Sequence, residues 1–381
     1  EHMFFQGSQS YPTVKQLETQ IYECGGKFNA FTTMAETVFH IECVSDCVEQ
    51  ACDILSDALY RSLFDPQKFK NEQQIVINEL KESLSDPKDI CWSGLQEVTF
   101  QGTRLAKHIA GNPTSVRSMN VTMLRNFVNT YYGHKNQMII CLTSELSLTQ
   151  GKQLLQRYFS EVPSYECKKI PRILKDQTRR LYPDHVFHLR TGRLRFTRDT
   201  SKHSFIGISF PSYRYQEGST KKNYAMRLIS ELLTGYMSSY LYQELRQIRG
   251  LIYHIHSASE LFEDLGFFYI MCSTDNNQSR VVETIETILE FVNSLSTRVT
   301  EDVLDSSKSH MVRQLSLQDK EVHKIGYRTC RDLMYRGKVF TKTQELHQIK
   351  SVTLKDIQEA SKEVFQGKHC CISYTGSKEY V

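Results

Sequence analysis

The sequence predicts an α+β protein made of two duplicated domains, each a mostly antiparallel sheet with helices packed on one face. Three observations lead to this prediction. At 381 residues the chain is too long for one ordinary hydrophobic core. Both halves mix helical and strand periodicity. A helix followed by a strand near the end of the first half recurs near the end of the second half, which indicates a duplicated domain.

The first three elements are predicted to be a helix, a pair of strands and a second helix. The first helix begins after Thr13, a good cap, and ends at Gly25-Gly26. Residues 27–44 alternate between apolar and polar side chains and are rich in Phe and Thr, so they predict a hairpin or two strands. Ser45 is then predicted to cap the second helix.

Asp65-Pro66 predicts the start of a third helix, with aspartate as the cap and proline in the first turn. This helix runs to about Ser83 and carries Glu72 and Glu79. A turn at 85–87 precedes a helix that is predicted to begin near Ile90. The remaining predicted elements of the first half are a helix over 121–132 and a strand over 137–142.

The second half is predicted to repeat this mixture. Its predicted strands lie at 203–210 and within 250–273, and its predicted helices lie at 222–233, 281–295 and 303–315. The clearest echo of the first half is a helix that begins at Val352-Thr353, followed by a strand from Cys370. A repeat of this length is a duplicated domain and not a solenoid, whose units are several-fold shorter.

Between the halves, prolines among basic residues interrupt the periodic pattern, which predicts a linker. The predicted division is therefore an N-terminal domain at 1–165, a linker at 166–184 and a homologous C-terminal domain at 185–381.

Composition excludes several classes of protein. Hydrophobic residues make up 40% and charged residues 24% of the chain, as in soluble globular proteins. A net charge of +4 argues against a nucleic-acid partner, and no apolar run reaches the roughly 18 residues that span a bilayer. Eleven cysteines without a Cys-x-x-Cys pair favour a reducing compartment. We expect a cytoplasmic protein, with the matrix of a mitochondrion or related organelle as the alternative.

Glu1-His2 has the form of the last two residues of a His-x-x-Glu-His motif, the inverted zinc-peptidase signature. The motif's first histidine would precede Glu1, so we expect the sequence to begin inside the motif. Glu79 is a candidate third ligand from a second helix, and Glu72, two turns earlier on the same face, is a candidate supporting carboxylate. Two other interpretations remain at this point: residues 1–8 as the remnant of a cleaved tag, and the glutamates as a solvated helix face.

A second metal-site hypothesis involves a histidine and three cysteines, namely His40, Cys43, Cys47 and Cys52. Their spacing fits no standard zinc finger, and Cys52 falls on an apolar helix face. Buried or half-buried free thiols are the simpler interpretation.

Several separated motifs together resemble the pitrilysin/insulinase family of inverted-motif zinc peptidases, in particular its small, two-domain bacterial type related to mitochondrial processing peptidase. Besides Glu72 and Glu79, these motifs are EHMFFQGS at 1–8, GGKFNAFT at 25–32, Asp86-Pro87, HIAG at 108–111, MSS at 237–239 and LRQIRGLIY at 245–253. The resemblance covers almost the whole chain and argues against a tag remnant.

The resemblance implies a zinc-dependent endopeptidase that hydrolyses short or unfolded peptides in an enclosed chamber, with Zn2+ as cofactor and a zinc-bound water as nucleophile. It implies that Glu1 is the catalytic base, supported by Glu72, and that His2 and Glu79 are zinc ligands. A chain without the motif's first histidine is expected to bind zinc poorly and to be inactive.

The resemblance further implies a peptide-binding site. Asn29 and Ala30 would lie on an edge strand that pairs with the substrate backbone, and Arg246 and Tyr253 would hold the substrate carbonyl or the developing oxyanion. In related enzymes the Arg/Tyr pair serves a zinc site on another domain pair, which implies a homodimer with shared sites, or a heterodimer with a related subunit. The alternative function is a non-catalytic structural or assembly subunit of the same fold.

Overall fold

The computed structural model describes residues 1–132, 138–160, 193–215, 220–262, 265–318, 321–366 and 370–379. They form two compact units. One contains the described residues within 1–81, 109–171 and 318–334, and the other contains those within 82–108, 172–317 and 335–381. Both units combine helices with a sheet, which confirms the predicted α+β class. The predicted linker at 166–184 lies outside the described residues, so the boundaries 1–165 and 185–381 stay a prediction.

The helices and strands are numbered in chain order within the described ranges. The helices are α1 (Val14–Glu23), α2 (Val48–Tyr60), α3 (Pro66–Ser83), α4 (Pro87–Thr99), α5 (Pro113–Ser118), α6 (Val121–Tyr131), α7 (Leu148–Phe159), α8 (Thr220–Thr234), α9 (Gln278–Arg298), α10 (Glu301–Gln318), α11 (Val322–Arg336), α12 (Lys342–Ser351) and α13 (Leu354–Phe365). The strands are β1 (Lys27–Thr32), β2 (Thr37–Glu42), β3 (Arg193–Arg198), β4 (His203–Ser212), β5 (Ile252–Leu261), β6 (Gly266–Asp275) and β7 (Cys371–Gly376).

Local capping determines where the first helices begin. Thr13 and Gln16 form a capping box at the start of α1, as predicted, and the helix ends where Gly25 takes a φ of 56°. The predicted cap at Ser45 is wrong, because Ser45–Cys47 form a short 3-10 turn and α2 begins only at Val48. A capping side chain must stand directly before the first helical turn, and Cys47 holds that position without making a side-chain cap.

The two helices that follow begin with the same Asp-Pro pair. Asp65 accepts hydrogen bonds from Gln67 N and Lys68 N, both at 2.9 Å, and α3 runs to Ser83 as predicted. Asp86 caps α4 in the same way, so this helix begins at Pro87 and not near Ile90. Proline in the first turn costs no hydrogen bond, because its missing N–H has no partner there in any helix.

In the first unit, β1 and β2 form a two-stranded antiparallel sheet. One face of this hairpin packs on the core side chains of α1 and α2. On the other face, Phe31 meets Tyr327 of α11 edge-on at 5.4 Å, and His40 stacks on His323 at 5.6 Å. The hairpin is therefore covered on both faces, while the edge of β1 away from β2 has no strand partner among the described residues.

Asp57 of α2 anchors the segment after Glu1-His2 through hydrogen bonds to Ser10. Its fully buried carboxylate accepts hydrogen bonds from Ser10 N at 3.0 Å and Ser10 Oγ at 3.1 Å, and it pairs with Arg61. Burial alone would raise the pKa of Asp57, but the hydrogen bonds and the Arg61 charge outweigh it and hold that pKa below its ordinary value of 3.8.

Replacing Asp57 with Asn is expected to lower the free energy of unfolding by about 2–3 kcal/mol, since a buried charge-assisted network is lost. Because the pKa of Asp57 is lower in the folded state, its stabilisation is complete above the unfolded pKa of about 4 and disappears as pH falls through the folded pKa. Urea denaturation at several pH values should therefore show the difference between wild type and variant shrinking below that pH. Exposed Asp46→Asn is the control, and a pH-independent difference would contradict this role of Asp57.

The second unit contains a five-stranded sheet in the order β3-β7-β4-β6-β5. Only the β3–β7 pair is parallel among these described strands. The largest hydrophobic core lies between one face of the sheet and α8, α9 and α13. On the other face α4 comes close to β4 at Gly207, where a Cβ atom would lie 3.1 Å from the Leu95 side chain.

The strands and helices that were predicted for the second half are present, with ends that differ by up to three residues. Three further elements, β3, α11 and α12, were not predicted. The predicted strand over 137–142 is wrong: residues 138–142 form no strand, and residue 137 lies outside the described ranges. Residues with a preference for strands form one only when a neighbouring strand pairs with their backbone. No described strand pairs with residues 138–142. In the part of the chain that the structure describes, no helix is long and apolar enough to cross a membrane.

Candidate active site

The segment that carries Glu1 and His2 is anchored by the aromatic residues after it. Phe4 is 2% exposed and contacts the rings of Phe39, Phe64 and Tyr132 at 5.0–5.5 Å. Phe5 packs on Phe28 of β1 at 4.7 Å. These contacts hold the backbone of residues 1–6 against the hairpin and the chain that leads into α3, so the two polar residues keep a defined position.

His2 lies between two carboxylates of α3. Its Nδ1 is 3.2 Å from Glu72 Oε2, and its Nε2 is 3.7 Å from Glu79 Oε2. Glu72 and Glu79 are seven residues apart, two helical turns, and therefore share a face of α3. The structure thus brings together three predicted site residues that are distant in sequence.

Glu72 is further held by Gln6, whose Nε2 donates to Glu72 Oε1 at 2.8 Å. The Lys68 ammonium donates to the carbonyls of Gln6 and Pro12, which joins the start of α3 to the same segment. Gln6 did not enter the sequence prediction. Its only sequence signal was its place in the motif at residues 1–8.

Glu1 is oriented by the end of β1. Thr32 Oγ1 donates to Glu1 Oε2 at 2.5 Å, and Thr32 lies three residues after Asn29 on the strand predicted to bind substrate. Thr32 was also missed from sequence, although it closes the motif at residues 25–32. The carboxylate predicted to be the base therefore stands beside the predicted peptide-binding strand.

The donor set around His2 fits a zinc ion. A carboxylate on Nδ1 favours the tautomer with the proton there, which leaves the Nε2 lone pair directed toward Glu79. In that tautomer a cation would fit between His2 Nε2 and Glu79 Oε2, which are 3.7 Å apart. Because zinc bonds to nitrogen and oxygen are about 2.0–2.2 Å long, one ion can reach both atoms.

Within the described ranges, no group of three or more His, Cys, Asp or Glu side chains is arranged to hold a metal ion. His40, Cys43, Cys47 and Cys52, the residues of the second metal-site hypothesis, therefore form no such group, and the three cysteines are free thiols. The same holds for His2 with Glu72 and Glu79, so a zinc ion at His2 would need a further ligand. Burial raises the pKa of Cys43 and raises that of Cys52 to about 11, so both remain protonated at neutral pH.

Asn29 and Ala30 lie in the middle of β1, paired with His40 and Phe39 of β2. The Ala30 side chain faces the core, whereas Asn29 is exposed and its Oδ1 accepts from Ala30 N at 2.8 Å. Both residues are therefore on the strand whose outer edge has no partner within the described ranges, as the resemblance implied for a strand that receives a peptide.

In the second unit, a π-helical segment at Gln243–Ile248 carries Arg246, and β5 carries Tyr253. Between them Gly250 takes a φ of 60°, and Leu251 N donates to Leu245 O at 2.7 Å. This left-handed turn reverses the chain, so that the Arg246 guanidinium lies 5.1 Å from the centre of the Tyr253 ring. Tyr253 is 65% exposed, which leaves its hydroxyl accessible to a ligand.

Charged contacts fix this turn. Arg249 pairs with Glu244 at 2.8 Å and Glu283 at 3.2 Å, and Arg280 Nη1 donates to Gly250 O at 2.7 Å. By contrast, Arg246 forms no ion pair with a carboxylate among the described residues, and its charge remains available for a ligand.

Comparisons with known proteins identify the family of the chain. A model described as "Insulinase (Peptidase family M16)" matches residues 1–113, and one described as "Peptidase M16 inactive domain" matches residues 118–311. An uncharacterized zinc protease of Bacillus subtilis, YmxG, is 26% identical over 368 residues, 96% of this chain and 84% of the relative. The beta subunit of mitochondrial-processing peptidase from Neurospora crassa is 21% identical over 388 residues, 100% of this chain and 78% of the relative.

Among solved structures, a protease from Helicobacter pylori superimposes with a TM-score of 0.86 at 15% identity, over 98% of this chain and 88% of that one. This likeness shows a shared two-domain fold. The second family model alone spans more than half of the sequence. The chain therefore belongs to peptidase family M16, the insulinase family.

Proposed function

We propose that this protein is a zinc-dependent endopeptidase that hydrolyses short or unfolded peptides. The observation that carries the proposal is the position of His2, which faces Glu72 through one ring nitrogen and Glu79 through the other. Its neighbour Glu1 is held beside β1 by Thr32. A relative that matches 96% of the chain is named a zinc protease, which supports the same conclusion.

In this proposal His2 and Glu79 are zinc ligands, and a complete His-x-x-Glu-His motif would supply one further histidine. When bound, zinc polarises the peptide carbonyl and lowers the pKa of water. Glu1 removes the proton from the attacking water and transfers it to the leaving amine. The Thr32 hydroxyl orients the Glu1 carboxylate, and Glu72 keeps the proton on Nδ1 of His2.

The open edge of β1 supports short or unfolded peptides as the class of substrate. An extended peptide adds to such an edge through backbone hydrogen bonds, which depend little on side chains. Folded proteins seldom present a free extended segment, so short and unfolded peptides are favoured. Asn29 and Ala30 occupy the middle of this strand.

Arg246 and Tyr253 supply a cation without a carboxylate partner in the described structure, next to an exposed phenol. Both groups donate hydrogen bonds and suit a carbonyl oxygen that gains negative charge during hydrolysis. We assign the pair to the substrate bound at the metal site of a second copy, in a homodimer.

One comparison favours the alternative of a non-catalytic subunit, because the family model that matches residues 118–311 is described as an inactive domain. Against it, His2 contacts both Glu72 and Glu79, an arrangement that suits a metal-binding enzyme. Metal dependence separates the two functions.

The test uses the full-length protein and an internally quenched, unstructured peptide. Cleavage is expected to stop when zinc is removed with a chelator and to return when zinc is added, because the metal supplies the electrophile. The same cleavage sequence inside a stably folded domain serves as the control and should resist. Cleavage that persists without metal, or no cleavage by the zinc-loaded protein, would contradict the proposal.

A further inference from the structure

We propose that Tyr242 is a positioning residue that holds the Arg246 guanidinium over the ring of Tyr253. The inference rests on the proposed role of Arg246 and Tyr253 in binding substrate, and it adds a third residue to that pair. Neither the motif at 245–253 nor the resemblance assigns a role to Tyr242.

The contacts of Arg246 carry this inference. Arg246 Nη1 donates a hydrogen bond to the Tyr242 hydroxyl oxygen. The guanidinium carbon lies 5.0 Å from the centre of the Tyr242 ring and 5.1 Å from that of Tyr253. Both distances are within the range of cation–π attraction. An arginine side chain loses much rotamer freedom when it is ordered, and these contacts restrict it before a substrate arrives.

The chemistry of the partner also matters. The neighbouring Arg249 donates through Nε to Glu244 and through Nη1 to Glu283, and these two carboxylates offset its charge. A phenol is a neutral acceptor, so Tyr242 fixes the direction of Arg246 without cancelling its charge. The Arg246 cation therefore stays available to a carbonyl oxygen or oxyanion of the substrate. If Arg246 were paired with a carboxylate, that ion pair would have to break before the substrate could bind.

The backbone around Tyr242 is held by other contacts. Gln243 Nε2 donates to Met237 O at 2.6 Å, and Arg249 N donates to Glu244 O at 3.1 Å. Leu245, the residue before Arg246, is fully buried in the core of this unit. Substitution of Tyr242 should therefore alter the orientation of Arg246 more than the fold.

The experiment compares Tyr242→Phe, which removes the hydroxyl, with Tyr242→Leu, which also removes the ring. Tyr240→Phe is the matched control, because its hydroxyl contacts Arg298 O at 3.2 Å and not Arg246. We expect kcat/KM of the full-length protein to fall about three- to tenfold for Tyr242→Phe and further for Tyr242→Leu, mainly through kcat, with unchanged zinc content.

A double-mutant cycle distinguishes positioning from a structural effect. In an Arg246→Ala background, Tyr242→Phe is expected to cost nothing further, since its only role there is to hold Arg246. Equal losses of kcat/KM in both backgrounds, or a loss in Tyr240→Phe as large as in Tyr242→Phe, would overturn the inference.

A second measurement does not depend on catalysis. Phenylglyoxal labelling of Arg246, followed by peptide mass spectrometry, should be faster in Tyr242→Leu than in wild type or Tyr240→Phe. An unchanged labelling rate would refute the positioning of Arg246 by Tyr242. If labelling is faster in Tyr242→Leu but the zinc-loaded protein never cleaves peptides, the positioning role is supported and the proposed function is refuted.

Discussion

Glu79→Gln in the full-length protein is expected to abolish zinc binding and peptide cleavage together. Glutamine is neutral, so the site loses the negative charge that attracts the metal as well as a carboxylate ligand. Because even residues that only orient ligands cost about 10–100-fold in metal affinity, removal of a ligand should cost at least that much. Zinc content after dialysis and turnover of an unstructured peptide are the two measurements.

Two variants make this test specific. Glu82→Gln, on the exposed surface near the end of α3, should retain both zinc and activity. Glu1→Gln should retain zinc but lose about 10²–10⁴-fold in turnover, because general acid–base catalysis is removed while the ligands stay. Full activity in Glu79→Gln or in Glu1→Gln would contradict the roles assigned here.

A mixture of two inactive chains is expected to recover activity if the site is shared in a homodimer. One chain carries Glu1→Gln and keeps Tyr253, and the other carries Tyr253→Phe and keeps Glu1. In a mixed dimer, one of the two sites then combines an intact Glu1 with an intact Tyr253. Random pairing of equal amounts places half of the chains in mixed dimers, so about a quarter of wild-type activity should return.

The mixture must be refolded or exchanged to equilibrium, and each variant alone provides the baseline. A chain that carries both substitutions, mixed with wild type, controls for simple dilution. Activity that never exceeds the sum of the separate variants would show that Tyr253 does not serve the metal site of another chain. It would leave the role of Glu1 and Glu79 unaffected.

Local chemistry accounts for the parts of the fold that sequence predicted correctly. The capping box at Thr13 and the Asp65-Pro66 pair act over a single helical turn. A few consecutive residues are therefore enough to predict where these helices begin. The errors have local and non-local causes. Asp86-Pro87 repeats the signal of Asp65-Pro66 and predicts a start at Pro87, whereas the strand over 137–142 depended on a partner that the sequence cannot name.

In the candidate site, too, some residues could be identified from the sequence and others only from the structure. By itself, the sequence singled out Glu1, His2 and Glu79 as candidate site residues, because a metal-binding motif prescribes residue types at set spacings. Only the tertiary structure decided that Gln6 holds Glu72, that Thr32 holds Glu1 and that Tyr242 holds Arg246. Glutamine, threonine and tyrosine are common throughout any chain, and a hydrogen bond is decided by distance and direction, which exist only after the chain has folded.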